Sequence, residues 1–226
     1  MKYLNFPIAL LRIDPLDIRG RMDAVMDYCL YERSLQFKGT EKEKIELARK
    51  DLGIKYGNLR NSYQRGAMLY DAIFPNSPKT SVTKDMIFDF YKNSKSEFEI
   101  ACFLAFAAVK SILQRQPYTK ITNEYLIGRM AGNSKAGEEI NDFVFKYSNR
   151  YQLDRIKNEL RLNWGLKLYS GKMRGYYVSF GLPLEQLIMH AELKRKKYRE
   201  AKLKEQTNEV RQRVLNSIYN KQITAN

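Results

Sequence analysis

Apolar residues along this chain recur mostly at three- and four-residue steps, the spacing of one face of an α-helix. Only a few short segments alternate as strands do. Tyr3–Ile13 is mixed apolar and carries Pro7, which fits a short edge strand. Asp17 is placed to cap a helix reaching about Gln36, in which Ile18, Met22, Val25, Met26, Cys29 and Leu30 make one stripe. Residues 44–65 read as two helices about Gly53: Leu47, Ala48 and Leu52 face inward, Ile54 plugs the turn, and Leu59 and Tyr63 mark the buried side of the second. Pro75 and Pro78 with Asn76 and Ser77 make a loop or linker. Glu97–Gln114 is apolar almost all round, as a helix in a core would be.

The segment after that core helix changes character. Lys120–Thr122 reads as a short strand, and Thr122 or Asn123 caps a helix over Glu124–Ala131 that Gly132–Asn133 stops. A polar stretch, Ser134–Asp142, follows and is longer than a simple turn needs. Ser148 or Asn149 then caps a helix over Arg150–Trp164, with Leu153, Ile156 and Leu160 on its buried face. Arg150, Lys157 and Arg161 project from the other face, flanked by Arg155 and Asn158. Leu166–Phe180 alternates as two strands, Leu166 and Leu168 against Tyr176, Val178 and Phe180, around a Gly171–Gly175 loop that carries Lys172 and Arg174. Beyond Pro183 the pattern is helical to the end. Its middle, with Lys194–Arg199 at its centre, is polar all round and exposed; it either bridges to DNA or another subunit or is a solvated charged helix.

Composition sharpens the reading through charge. Hydrophobic residues at 44% and charged residues at 29% are ordinary for a globular protein, but the net charge of +15 is not. Residues 1–144 hold 22 basic and 18 acidic side chains, and residues 145–226 hold 18 and 7. That concentration reads as a footprint for a polyanion, and the alternative is a well-solvated basic surface. Arg and Lys on a helix can meet phosphates or guanine edges, and Asn can meet adenine, so duplex DNA is the expected partner. Tyr169, Tyr176 and Tyr177 keep base stacking with a single strand open.

Catalytic and metal chemistry find little support. Cys29 and Cys102 lack metal-ligand spacing and sit among apolar neighbours, as buried hydrophobes do. His190 is the only histidine, so no His-paired metal site can be built. No phosphate-binding glycine loop is present, and Asp85 and Asp89 lie at helix-face spacing with no supporting motif. The expectation is a non-enzymatic protein without cofactor or metal. The N-terminus lacks a signal-peptide pattern, and the most apolar run, Ile100–Val109, is about half the ~20 residues that span a bilayer, so a cytoplasmic location with no membrane partner is expected.

The order helix, helix, basic helix, basic hairpin resembles the winged-helix proteins, with the hairpin as wing. Together with the opening LNFPIALLRID and the helix-turn-helix pattern at 44–65, the layout resembles plasmid and phage replication initiators built from tandem winged-helix domains. The resemblance implies recognition of repeated origin sequences in replication initiation or maintenance of a mobile element, and a switch between monomer and homodimer. It adds Lys55, Asn58 and Arg60 to the candidate DNA contacts. Ser81–Tyr91 would have to supply the first wing, and it reads equally well as helix. The expected fold class is therefore mainly α with a small β-hairpin: a winged helix-turn-helix, two tandem helix-turn-helix-type units, and a basic C-terminal helix. The expected divisions are a helical domain over 1–80, a winged-helix domain over 81–182, and the basic helix over 183–226. The competing functions are a winged-helix transcriptional regulator, which should be a stable two-fold dimer, and an interaction protein whose basic tail binds RNA or an acidic partner.

Overall fold

The structure, a computed structural model, describes residues 2–12, 17–54, 58–72, 77–135, 137–171 and 174–223, with side chains to residue 216. It is mainly helical with two small antiparallel sheets. Strand β1 (Tyr3–Pro7) leads through a 3-10 helix, Ile8–Arg12, to α1 (Ile18–Ser34), α2 (Glu41–Leu52) and α3 (Leu59–Ala72). Strand β2 (Lys79–Thr83) returns to pair with β1, Phe6 opposite Thr80, and runs directly into α4 (Lys84–Lys92).

Local rules explain most of these boundaries. Asp17 caps α1 by accepting from the Gly20 amide at 2.8 Å, as its position foretold. Thr40 and Glu43 form a reciprocal capping box at the start of α2, and Gly53 ends that helix in the left-handed region at φ 66°, where a side chain would be strained. Ala48 and Leu52 are buried as expected, but Leu47 is exposed, so it does not face the core. α2 and α3 each pack against α1. α3 does so across a close approach at Gly66, its one fully buried position: a Cβ there would lie 2.1 Å from the Asp27 carbonyl oxygen. Tyr31 lies between Tyr63 and Tyr70 at this contact, and Arg65 donates to Asp27 at 2.7 Å.

Helix α5 (Glu97–Leu113) starts at a second capping box, Ser96 with Glu99, and is buried from Ile100 to Val109. Such a helix has no solvent face, so elements from both halves of the chain must cover it. β2 lies against it, with the Thr80 hydroxyl donating to the Ala107 carbonyl at 2.8 Å, and the 3-10 helix covers it too. On its other sides pack α6 (Asn123–Met130) and α8 (Arg150–Asn163), and a short helix, α7 (Asp142–Lys146), buries Phe143 and Val144. Residues 119–179 add a three-stranded sheet, β3 (Thr119–Ile121), β4 (Lys167–Tyr169) and β5 (Tyr176–Ser179), in the order β3-β5-β4. The last helix, α9 (Leu184–Ile223), is about 60 Å long at 1.5 Å per residue.

Two expectations need correction. The division at 80/81 falls inside β2, and α4 packs on α1, so the first half runs to about residue 93 and shares one continuous core with the second. Ser81–Tyr91 is not the first wing; it is the end of β2 followed by α4, so its helical reading holds from Lys84, because β2 finds its partner in β1. The polar stretch from Ser134 ends where Asn141 caps α7 by accepting from the Val144 amide at 2.9 Å, a short helix that the sequence reading did not name.

Gly66→Ala should destabilise the protein by about 1–3 kcal/mol. The overlap with the Asp27 backbone outweighs the gain in helix propensity of about 1 kcal/mol. Urea unfolding checks it, and an unchanged or raised midpoint would show that α3 does not pack on α1 this closely.

Candidate nucleic-acid interface

α8 begins where Asn149 accepts from the Gln152 amide at 3.0 Å, and Leu153, Ile156 and Leu160 bury one face of it toward α5. Arg150, Asp154, Lys157 and Arg161 follow one another at steps of four, three and four, and so make one ridge along the flank of the helix. This ridge borders a groove, about 510 Å³ in volume, between α8, the start of α6 and the β4–β5 hairpin. Arg150, Lys157 and Arg174 line it as cations, Asp154 and Glu124 as anions, and Thr122, Asn123 and Ser170 as neutral polar groups.

The three cations are not equally available. The Arg150 side chain is 93% exposed, with Asp154 at 3.9 Å. Arg174, also exposed, donates to Glu124 at 3.2 Å. The Lys157 side chain is only 13% exposed: its ammonium sits 3.1 Å from Asp154 and 4.7 Å from the centroid of the Tyr176 ring. Lys157 therefore does not project from the helix as expected; apolar surface and a carboxylate hold its stem inward. The Tyr176 phenol is buried, and that burial, with the Asp154 charge adding to it, raises its pKa, so the ring stays neutral beside Lys157.

The remaining sequence candidates divide by position. Asn158 and Arg161 are exposed, and Tyr151 and Leu162 add exposed apolar area to the outward side of α8. Arg155 is exposed, but its guanidinium lies 4.6 Å from the Phe98 ring centroid and 5.9 Å from that of Tyr151, which holds it toward α5. Asn58 accepts from the Asn61 amide at 3.2 Å and so acts as the cap of α3, beside an exposed Arg60. Neither lines the groove at α8. Lys55 and Lys172 lie outside the described residues. Sequence reasoning passed over Asp154 and Glu124. The i,i+4 and i,i+3 spacing of Asp154 from Arg150 and Lys157 was a legible signal; the meeting of Glu124 with Arg174 was not.

The hairpin is held from behind by α9. Tyr169 donates to Glu192 at 2.6 Å, Arg195 donates to the same carboxylate oxygen, and Leu187 and Ala191 are buried with Tyr177. His190 stacks on Tyr118, and the Lys194 ammonium lies over the same tyrosine ring, 4.6 Å from its centroid. Tyr176 and Tyr177 are buried, and Tyr169 is half-buried in this contact, so these rings are packing and not a stacking platform for bases. A larger groove of about 1020 Å³ lies beside β1 and β2, but Lys79 and Arg33 within it are paired with Glu32 and Asp51. Among the described residues no three His, Cys, Asp or Glu side chains gather as a metal site would need, and no helix is long and apolar enough to cross a membrane.

Because the hairpin depends on α9, Leu187→Ala should cost about 2–5 kcal/mol, as large-to-small changes at fully buried sites do. A chain ending at Gly181 should lose more, while one ending at Glu200 should keep its melting temperature. Equal melting temperatures for all three and the parent chain would refute the docking of α9.

No protein-family model, curated protein or solved structure matches this chain.

Proposed function

We propose that residues 97–180 form a winged helix that binds duplex DNA, with α8 as its recognition helix and the β4–β5 hairpin as its wing. The observation that carries this reading is the convergence of Arg150, Lys157 and Arg174 on one groove between the two basic elements. The order of elements, and a sheet in which the last strand lies between the other two, suit the same assignment. In this reading the wing meets the phosphate backbone, which needs cations and no sequence code. The outward side of α8 offers Asn158 and Arg161 for base edges, and Tyr151 and Leu162 for thymine methyl groups.

The carboxylates in the groove refine the mechanism. Exposed pairs such as Arg174–Glu124 contribute little stability, typically ~0–1 kcal/mol. Their use here is to hold the guanidinium in place until a phosphate competes for it. Charge concentrated in residues 145–226 adds a longer-range attraction that salt screens. The protein acts without catalysis, and its biological setting is replication initiation or maintenance of a mobile element, on the strength of its layout. Arg60 and Asn58, on a separate helix, would form a second contact region on the same duplex.

Fluorescence anisotropy with random duplex DNA across a salt series tests the proposal. Roughly micromolar binding is expected at physiological salt, with log K falling steeply against log salt. Arg174→Ala should weaken binding evenly across sequences and reduce that slope by about 1. Arg161→Ala should cost roughly 1–3 kcal/mol on a selected site and relax preference there. Asp154→Asn removes an anion beside two cations and should tighten binding several-fold at low salt. No binding at low salt, or a salt slope that the Arg174 variant leaves unaltered, would remove the nucleic-acid reading or the groove from it, respectively.

A further inference from the structure

The groove of about 1020 Å³ beside β1 and β2 differs in charge from the one at α8. At α8 three cations meet two carboxylates; here Arg33, Lys79, Lys110 and Arg115 meet only Glu32. The floor is the outward side of the small sheet, where Tyr3, Asn5 and Ser81 alternate with buried neighbours. α1 lies against β1 and α5 against β2, and both helices contribute cations. Two of the four are committed: Lys79 pairs with Glu32, and Arg33 with Asp51. Lys110 and Arg115 have no carboxylate partner among the described residues.

Lys110 is half-buried, its ammonium 4.6 Å from the Phe180 ring centroid and 5.6 Å from that of Phe106, and burial lowers its pKa. Ring faces offset only part of the cost of drawing a cation from water, and an anion beside it would offset more. Between the two free cations the chain turns at Gln114, with φ 49° and ψ −116°. It is the one non-glycine with positive φ among the described residues, and backbone strain of this kind gathers at ligand sites. The Ser77 hydroxyl, also on the groove, is shut off from water and has no hydrogen-bond partner.

We propose that this groove binds a small organic phosphate, its dianion held by Lys110 and Arg115 and its polar body lying over Tyr3, Asn5 and Ser81. A phosphate monoester carries nearly two negative charges at neutral pH, which match the two uncommitted cations. Arg can take two of its oxygens at once while Lys supplies a point charge. A single carboxylate would leave one cation unmatched. The floor offers hydroxyls and an amide, which suit a sugar or nucleoside and not an acyl chain. This inference does not rest on DNA binding.

Isothermal titration calorimetry of the full chain with adenosine monophosphate, ribose phosphate, inorganic phosphate and adenosine tests it. Physiological salt screens the rest of the basic surface. At least one ester should bind with a dissociation constant of roughly a millimolar or below, more tightly than inorganic phosphate or adenosine. Arg115→Gln and Lys110→Met should each weaken that ester by roughly tenfold or more. Lys202→Gln, at an exposed lysine of α9, should leave it unchanged. Arg115 is exposed, so its variant should keep the parent's melting temperature, which preserves the comparison whatever Lys110→Met does to the fold. Binding of adenosine monophosphate alone would assign the body to a nucleoside, and binding of both esters to a sugar phosphate. No binding of either ester at several millimolar, or an Arg115 variant that binds like the parent, would overturn the proposal. So would inorganic phosphate binding as tightly as the esters, which marks an adventitious ion only, or a Lys202 variant weakened as much as the Arg115 one.

Discussion

The burial of α5 is the constraint on which the rest of the structure depends. A helix apolar on all sides from Ile100 to Val109 has no stable position at a surface, so it forces two halves of the chain to close around it. β2 and the 3-10 helix come from one side, α6 and α8 from the other, and the hydroxyl of Thr80 reaches its backbone at Ala107. The consequence is a single continuous core in place of two domains joined by a linker. It also fixes α8: with Leu153, Ile156 and Leu160 held toward α5, the basic ridge has only one direction in which to lie.

The groove at that ridge is a balance of opposite charges and not a uniformly positive surface. Asp154 and Glu124 neutralise part of what Arg150, Lys157 and Arg174 bring. In water such pairs are weak and readily exchanged, so they orient the cations without committing them. Lys157 differs because Tyr176 and Asp154 hold it largely out of water. Its role in the proposed interface is to set the local potential and the position of Asp154, while the exposed arginines make the contacts.

α9 links these features. Its first half supports the hairpin through Tyr169, Glu192 and Arg195, and its described side chains from residue 201 to 216 are all exposed.

Sequence alone determined most of the helices and their ends, because these depend on neighbours within a turn. Asp17 caps α1, Thr122 and Asn149 cap α6 and α8 out of the two candidates marked for each, and the all-round apolar pattern at 97–114 identified the core helix. The hairpin near 166–180 was legible from its alternation and its glycines. Tertiary structure alone decided what depends on contacts between distant residues. It paired β2 with β1, which left Ser81–Tyr91 to the helical of its two readings, and it set α3 on α1 by a close backbone approach at Gly66, on the face that Leu59 and Tyr63 had marked. It turned Lys157 inward, buried Tyr176 and Tyr177, and brought Glu124 to Arg174 from 50 positions away. Periodicity shows that a residue lies on a face; which neighbour covers that face is settled only when the chain closes around α5.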